Sequence, residues 1–140
     1  MAKLVTQLRI SLLGCSEKIN SALYDLMPEE AEIQSVNLSG ASVNNLEALL
    51  QPDFDTSVIV VDLTLLPISQ ISTLHTFSQL AGDTPIIVLH AYNDRPIART
   101  FLNNGAMGYL PINTNRRELE KAIDSVLSGV PYLSNQVGFY

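Results

Sequence analysis

Residues 57–63, Ser-Val-Ile-Val-Val-Asp-Leu, constrain the fold of this chain more than any other stretch. Four β-branched apolar residues in a row, without alternation, read as a strand buried on both faces. That is the signature of an internal strand in a parallel sheet. A carboxylate, Asp62, then appears at its carboxyl end. Open α/β sheets bind ligands and do chemistry outside the carboxyl ends of their strands. A charge set there against an apolar core costs free energy unless something compensates. Asp62 is therefore the first candidate for function, with a turn-capping aspartate as the competing reading.

Taken along the chain, the same patterns give five strands alternating with five helices. Further strands are expected over Gln7–Leu13 (breaking at Gly14), Glu32–Leu38, Pro85–Leu89 and Met107–Leu110. Pro85–Leu89 is again uniformly apolar, and so internal. Three helices are expected after Ser16, Ser42 and Pro67, stopped in turn by Pro28, Pro52 and Gly82. A fourth starts at the Asp94 and Pro96 pair, carries Ile97, Ala98, Phe101 and Leu102, and ends at Asn104-Gly105. A fifth is capped within 113–115, buries Leu119, Ala122, Ile123, Val126 and Leu127 on one face, and stops at Gly129. Strict βα alternation predicts an α/β fold: a three-layer α/β/α domain with a five-stranded parallel sheet.

At 140 residues the chain reads as a single domain, 1–140, with its core over about 7–129 and a tail, 130–140, that holds too little pattern to assign. A net charge of −6 argues against nucleic-acid binding by this domain. Cys15 is the one cysteine, which rules out an internal disulfide and fits a reducing compartment. With only His75 and His90 beside it, a Cys/His metal framework is also ruled out. No apolar run approaches membrane-spanning length, so a soluble, cytoplasmic protein without membrane contact is expected.

Several stretches carry a family resemblance. Val61-Asp62-Leu63, Pro85 to Asp94 (Pro-Ile-Ile-Val-Leu-His-Ala-Tyr-Asn-Asp) and Gly105-Ala106-Met107-Gly108-Tyr109-Leu110 resemble the third, fourth and fifth strand signatures of response-regulator receiver domains. Glu118 to Ile123 and Gly129-Val130-Pro131-Tyr132-Leu133-Ser134 are similar to the last helix and tail of receivers that precede LuxR-type helix-turn-helix domains. The resemblance spans about Gln7 to Ser134. It implies a flavodoxin-like (βα)5 fold and two-component signalling, in which an aspartate accepts a phosphoryl group from a histidine kinase. That chemistry needs Mg²⁺, held by the aspartate and an acidic pair after the first strand. It also uses a Ser or Thr ending the fourth strand, which binds the phosphoryl group and pulls an aromatic on the fifth strand inward, and a Lys after the fifth. Carried over by position, Asp62 matches the phosphoacceptor and Tyr109 the switch aromatic.

The other positions depart from the pattern. Gly14-Cys15 replaces the acidic pair, His90 stands at the Ser/Thr position and Ile112 at the Lys. Losing both acids removes most of the charge that would hold Mg²⁺, so its binding is expected lost or weak and no cofactor is expected. Losing the Lys removes a cation that would stabilise a phospho-aspartate. The favoured expectation is a degenerate receiver acting in signal transduction and transcription regulation, as a homodimer or on a partner regulatory protein, with a histidine kinase in its ancestry. Mixed charge on the fourth and fifth predicted helices suits a self-complementary dimer face. Two other readings stay open: a working phospho-receiver with an unorthodox site, and a small-molecule module using the emptied pocket around Gly14, Asp62, His90 and Ile112.

His90 is expected to face Asp62, where a protonated imidazole would neutralise the carboxylate; a strand-end histidine bonded to backbone is the competing reading. Tyr109 reads either as a switch or as a packing aromatic. Cys15 has neither a phosphate-cradling loop nor an arginine beside it and reads as an inert thiol. No nucleophile–base pair or paired carboxylates can be found, so an enzyme with turnover is not expected.

Overall fold

A computed structural model of the chain describes residues 8–14, 24–37, 56–62, 75, 78–79, 81–90, 95–111 and 113–134. Among the described residues six strands form one sheet: β1 (Arg9–Gly14), β2 (Glu32–Asn37), β3 (Val58–Asp62), β4 (Ile86–His90), β5 (Gly108–Pro111) and β6 (Tyr132–Leu133). Two described helices, α1 (Arg95–Asn103) and α2 (Arg116–Leu127), flank β5 in the sequence. The strand order is β2-β1-β3-β4-β5-β6 and every pairing is parallel. The order reverses between β1 and β3, the switch point at which such sheets open a crevice.

The uniformly apolar strands sit where their composition demands. Every residue of β3 and of β4 is buried, including the polar residue that ends each. Alternation divides their side chains between two cores. Leu13, Ile59, Val61, Ile86, Val88 and Tyr109 point to one face, which α1 covers with Ala98 and Phe101. Ile10, Leu12, Val58, Val60, Ile87, Leu89 and Leu110 point to the other, which α2 covers with Leu119, Ala122, Ile123 and Val126. The 119-122-123-126 spacing is one face of a helix. Helices therefore cover both faces, as the alternating pattern predicts.

The helix ends follow their local chemistry. Asn115 caps α2, its side-chain oxygen accepting from the Glu118 backbone N–H at 2.9 Å. Both helices stop in the same paired-bond motif. After α1, Ala106 N–H donates to Phe101 and Gly105 N–H to Leu102; after α2, Val130 N–H donates to Ser125 and Gly129 N–H to Val126. The glycine in each has a positive φ, +117° at Gly105 and +82° at Gly129.

The sheet differs from the sequence reading in one strand. The tail, which carries no apolar pattern, adds β6 as a sixth strand at the edge, Tyr132 beside Gly108 and Leu133 beside Tyr109. Two residues are too few to leave a periodic signature. Strand ends shift by one or two residues; β4, for instance, runs on to include His90. The second expected helix and most of the first and third lie outside the described residues, although Tyr24 at the end of the first and His75, Ser78, Gln79 and Ala81 of the third are helical.

Candidate functional site

Register brings four strand ends level at one edge of the sheet. Gly14 ends β1, Asp62 ends β3 beside Leu89, and His90 ends β4 beside Pro111, the last residue of β5. Asp62, His90 and Tyr109 are each fully buried. Cys15 and Ile112, the other two positions singled out in the sequence, lie outside the described residues.

Alternation decides what each side chain meets. His90 follows Ile86 and Val88 onto the α1 side, the side of Tyr109. Asp62 follows Val58 and Val60 onto the α2 side, the side of Leu89 and Leu110. The two leave the sheet on opposite faces from adjacent strand ends.

What the imidazole meets on its own face is a buried aromatic cluster. The Tyr109 hydroxyl lies 3.3 Å from His90 Nδ1, a hydrogen bond whose direction follows the imidazole tautomer. The His90 and Phe101 rings are 4.8 Å apart, centre to centre, and tilted by 55°. Phe101 and Tyr109 are 5.7 Å apart and tilted by 33°. These spacings are those of favourable tilted aromatic pairs. Tyr109 therefore points inward, with its ring packed on Phe101 and its hydroxyl engaged by the residue at the family's Ser/Thr position. The two positions marked as a switch are brought together. Phe101 reads in the sequence only as one apolar position on a helix, and its role as the third ring depends on how α1 lies across β4 and β5.

Hard cations take six or more oxygens, several of them from carboxylates. Among the described residues, the strand ends supply one carboxylate, Asp62. Among the described residues, no three His, Cys, Asp or Glu lie together in a way that could hold a metal ion. A crevice of about 430 Å³ does open on the domain, but at the opposite, amino-terminal ends of β4 and β5, lined by Thr84, Ile86, Gly105, Met107, Val126 and Leu127 among others. It is distinct from the pocket expected around Asp62.

Comparison with known proteins places this geometry. The chain is 26% identical over 80 residues to the response regulator UvrY of Escherichia coli K12, covering 57% of this chain and 37% of that one. A CheY-like response regulator receiver domain protein from Methanospirillum hungatei superposes with a TM-score of 0.67 at 19% identity, over 89% of this chain and 96% of that one. The chain has the fold of response-regulator receiver domains. A LuxR-family DNA-binding response regulator from Silicibacter pomeroyi shares the receiver fold, with a TM-score of 0.70 at 16% identity over 91% of this chain and 98% of the other. No family model matches the chain. The receiver spans about half or less of the length of the curated relatives it matches. Among the described residues no helix is long and apolar enough to cross a membrane.

Proposed function

We propose that this receiver acts in signal transduction and transcription regulation without phosphorylation, through contacts with a second copy or a partner regulatory protein. One observation carries the reading: the residue at the Ser/Thr position is itself the partner that holds the switch aromatic inward. In the family pattern the phosphoryl group draws that aromatic in. Here the His90 imidazole already engages a fully buried Tyr109 at 3.3 Å. An input shifts a conformational equilibrium only through its different affinity for the two states. A ring held inward by a protein side chain leaves phosphorylation little movement to drive.

The rest of the site supports the same reading. Asp62 stands at the end of β3 with no acidic pair in the sequence after β1 and with Ile112 at the Lys position, so both Mg²⁺ and the stabilising cation lack their usual residues. Output then rests on a surface rather than on chemistry. The exposed side of α2 mixes Arg117 and Lys121 with Asp124, and α1 adds an exposed Arg99. Interspersed charges of both signs suit a two-fold contact in which each surface meets its own copy.

The test is incubation of the purified domain with acetyl phosphate and Mg²⁺, read by phosphate-affinity electrophoresis, beside sedimentation velocity. The reading expects an unshifted band and an association state unchanged by the reagent. A shifted band that disappears in Asp62→Asn would overturn it.

A further inference from the structure

The motif Gly129 to Ser134 is the one sequence signature that the phosphoacceptor site does not use, and in the structure it converges on a single carboxylate. Ser134 Oγ donates to Glu118 Oε2 at 2.7 Å, and the Tyr132 hydroxyl donates to the same oxygen at 3.3 Å. Thr114 Oγ1 donates to the other oxygen, Oε1, at 3.0 Å. Thr114 and Ser134 are both buried, at 6% and 3% exposure, so two of the three bonds are sheltered from water. Hydroxyl-to-carboxylate bonds are among the stronger side-chain contacts, and an ionised carboxylate has room for all three.

Glu118 is well placed to hold them. It is the third residue of α2, and its own backbone N–H is fixed by the Asn115 cap. A negative charge in the first turn is favoured by the helix dipole. A glutamate at this position often reaches back to the cap; this one gathers hydroxyls from the residue before the cap and from a segment 14 to 16 residues further on.

β6 needs such an anchor. Its backbone bonds along β5 include Tyr132 N–H to Met107 O at 2.8 Å and Ser134 N–H to Tyr109 O at 3.1 Å. The few backbone bonds of a two-residue edge strand set little against the entropy of ordering it. With side chains on Glu118 and backbone on β5, the segment is held from two sides. The bond to the Tyr109 carbonyl also ties it to the strand that carries the switch aromatic.

We propose that Glu118 is a positioning residue, a clamp that docks Tyr132–Ser134 on the sheet edge and fixes the point from which the chain past Ser134 departs. Because β6 runs parallel to β5, that point lies at the carboxyl ends of the strands, the edge that holds Asp62 and His90. The clamp stands independently of whether the receiver is phosphorylated.

Amide hydrogen exchange on the full 140-residue chain, without phosphodonor, tests it. In Glu118→Ala, the Tyr132 and Ser134 amides should lose protection by tenfold or more, while Ala122 and Val126 within α2 keep theirs. Glu118→Gln, which retains an acceptor, should fall between. Should Glu118→Ala fail to fold, Ser134→Ala and Thr114→Val decide, since each deletes one hydroxyl. Protection lost at the tail alone supports the clamp. Tail amides that exchange as in the unmodified chain, in whichever of these variants fold, would overturn it. So would loss spread evenly through α2, which marks a merely structural role.

Discussion

Replacing Tyr109 by Phe removes one oxygen atom from a fully buried ring and little else, which makes it a clean probe of the His90 contact. A buried hydrogen bond contributes about 1 kcal/mol net, and stranding a buried polar partner costs roughly 1–3 kcal/mol. At 3.3 Å this bond is on the long side, so the lower end applies. Tyr109→Phe should therefore cost about 1–2 kcal/mol, which lowers Tm by about 4 °C per kcal/mol in a domain of this size. The same change in a His90→Leu background should cost about 0.5 kcal/mol or less, because the partner is already gone. The contact of His90 with Phe101 is lost on both sides of that cycle and drops out of the coupling energy. Urea unfolding at fixed pH, with matched slopes across the four proteins, gives the four stabilities. The expected coupling of about 1 kcal/mol exceeds the roughly 0.3–0.5 kcal/mol scatter of independent sites. If Tyr109→Phe costs the same in both backgrounds, the bond holds nothing and the reasoning fails.

Two further outcomes follow from the geometry. At Gly105, with φ +117°, an added Cβ would lie 2.3 Å from Ser78 Oγ and 2.4 Å from Ser78 Cβ. Gly105→Ala should thus cost about 2 kcal/mol or more in urea unfolding, from backbone strain and overlap together. The Tyr132 phenol is pushed above its ordinary value of about 10, first by burial and then by the charge and hydrogen bond of Glu118. The folded state thus holds that proton more tightly than the unfolded chain. Tyr132 contributes stability that is fully present below about pH 10 and is lost as pH rises through the raised value. Tyr132→Phe should flatten the alkaline limb of the stability profile, measured by thermal unfolding between neutral pH and pH 11.

Some of this was legible in the residues and some was not, for physical reasons. Val58–Val61 and Ile86–Leu89 announce internal parallel strands because burial on both faces removes any alternation. The Phe101 and Leu119 to Val126 faces are plain because helical spacing is local. β6 is invisible from the sequence, since two residues leave no period and the hydroxyls of Tyr132 and Ser134 meet a carboxylate at Glu118, well upstream. Tyr109 and His90, each singled out by position alone, meet in the structure, a contact the sequence does not announce. Which way His90 turns was not readable. That depends on the register of β3 against β4, with Asp62 beside Leu89, and a single residue of slip would reverse it.

The central claim is that Tyr109 is held inward by His90 whatever happens at Asp62. The most direct measurement is ¹⁹F NMR of the domain carrying 3-fluorotyrosine, with the Tyr109 signal assigned by Tyr109→Phe, during titration with Mg²⁺ and beryllofluoride. One resonance that neither moves nor splits up to millimolar reagent is the predicted result. A second resonance that grows saturably with the phosphoryl mimic, and vanishes in Asp62→Asn, would contradict the claim.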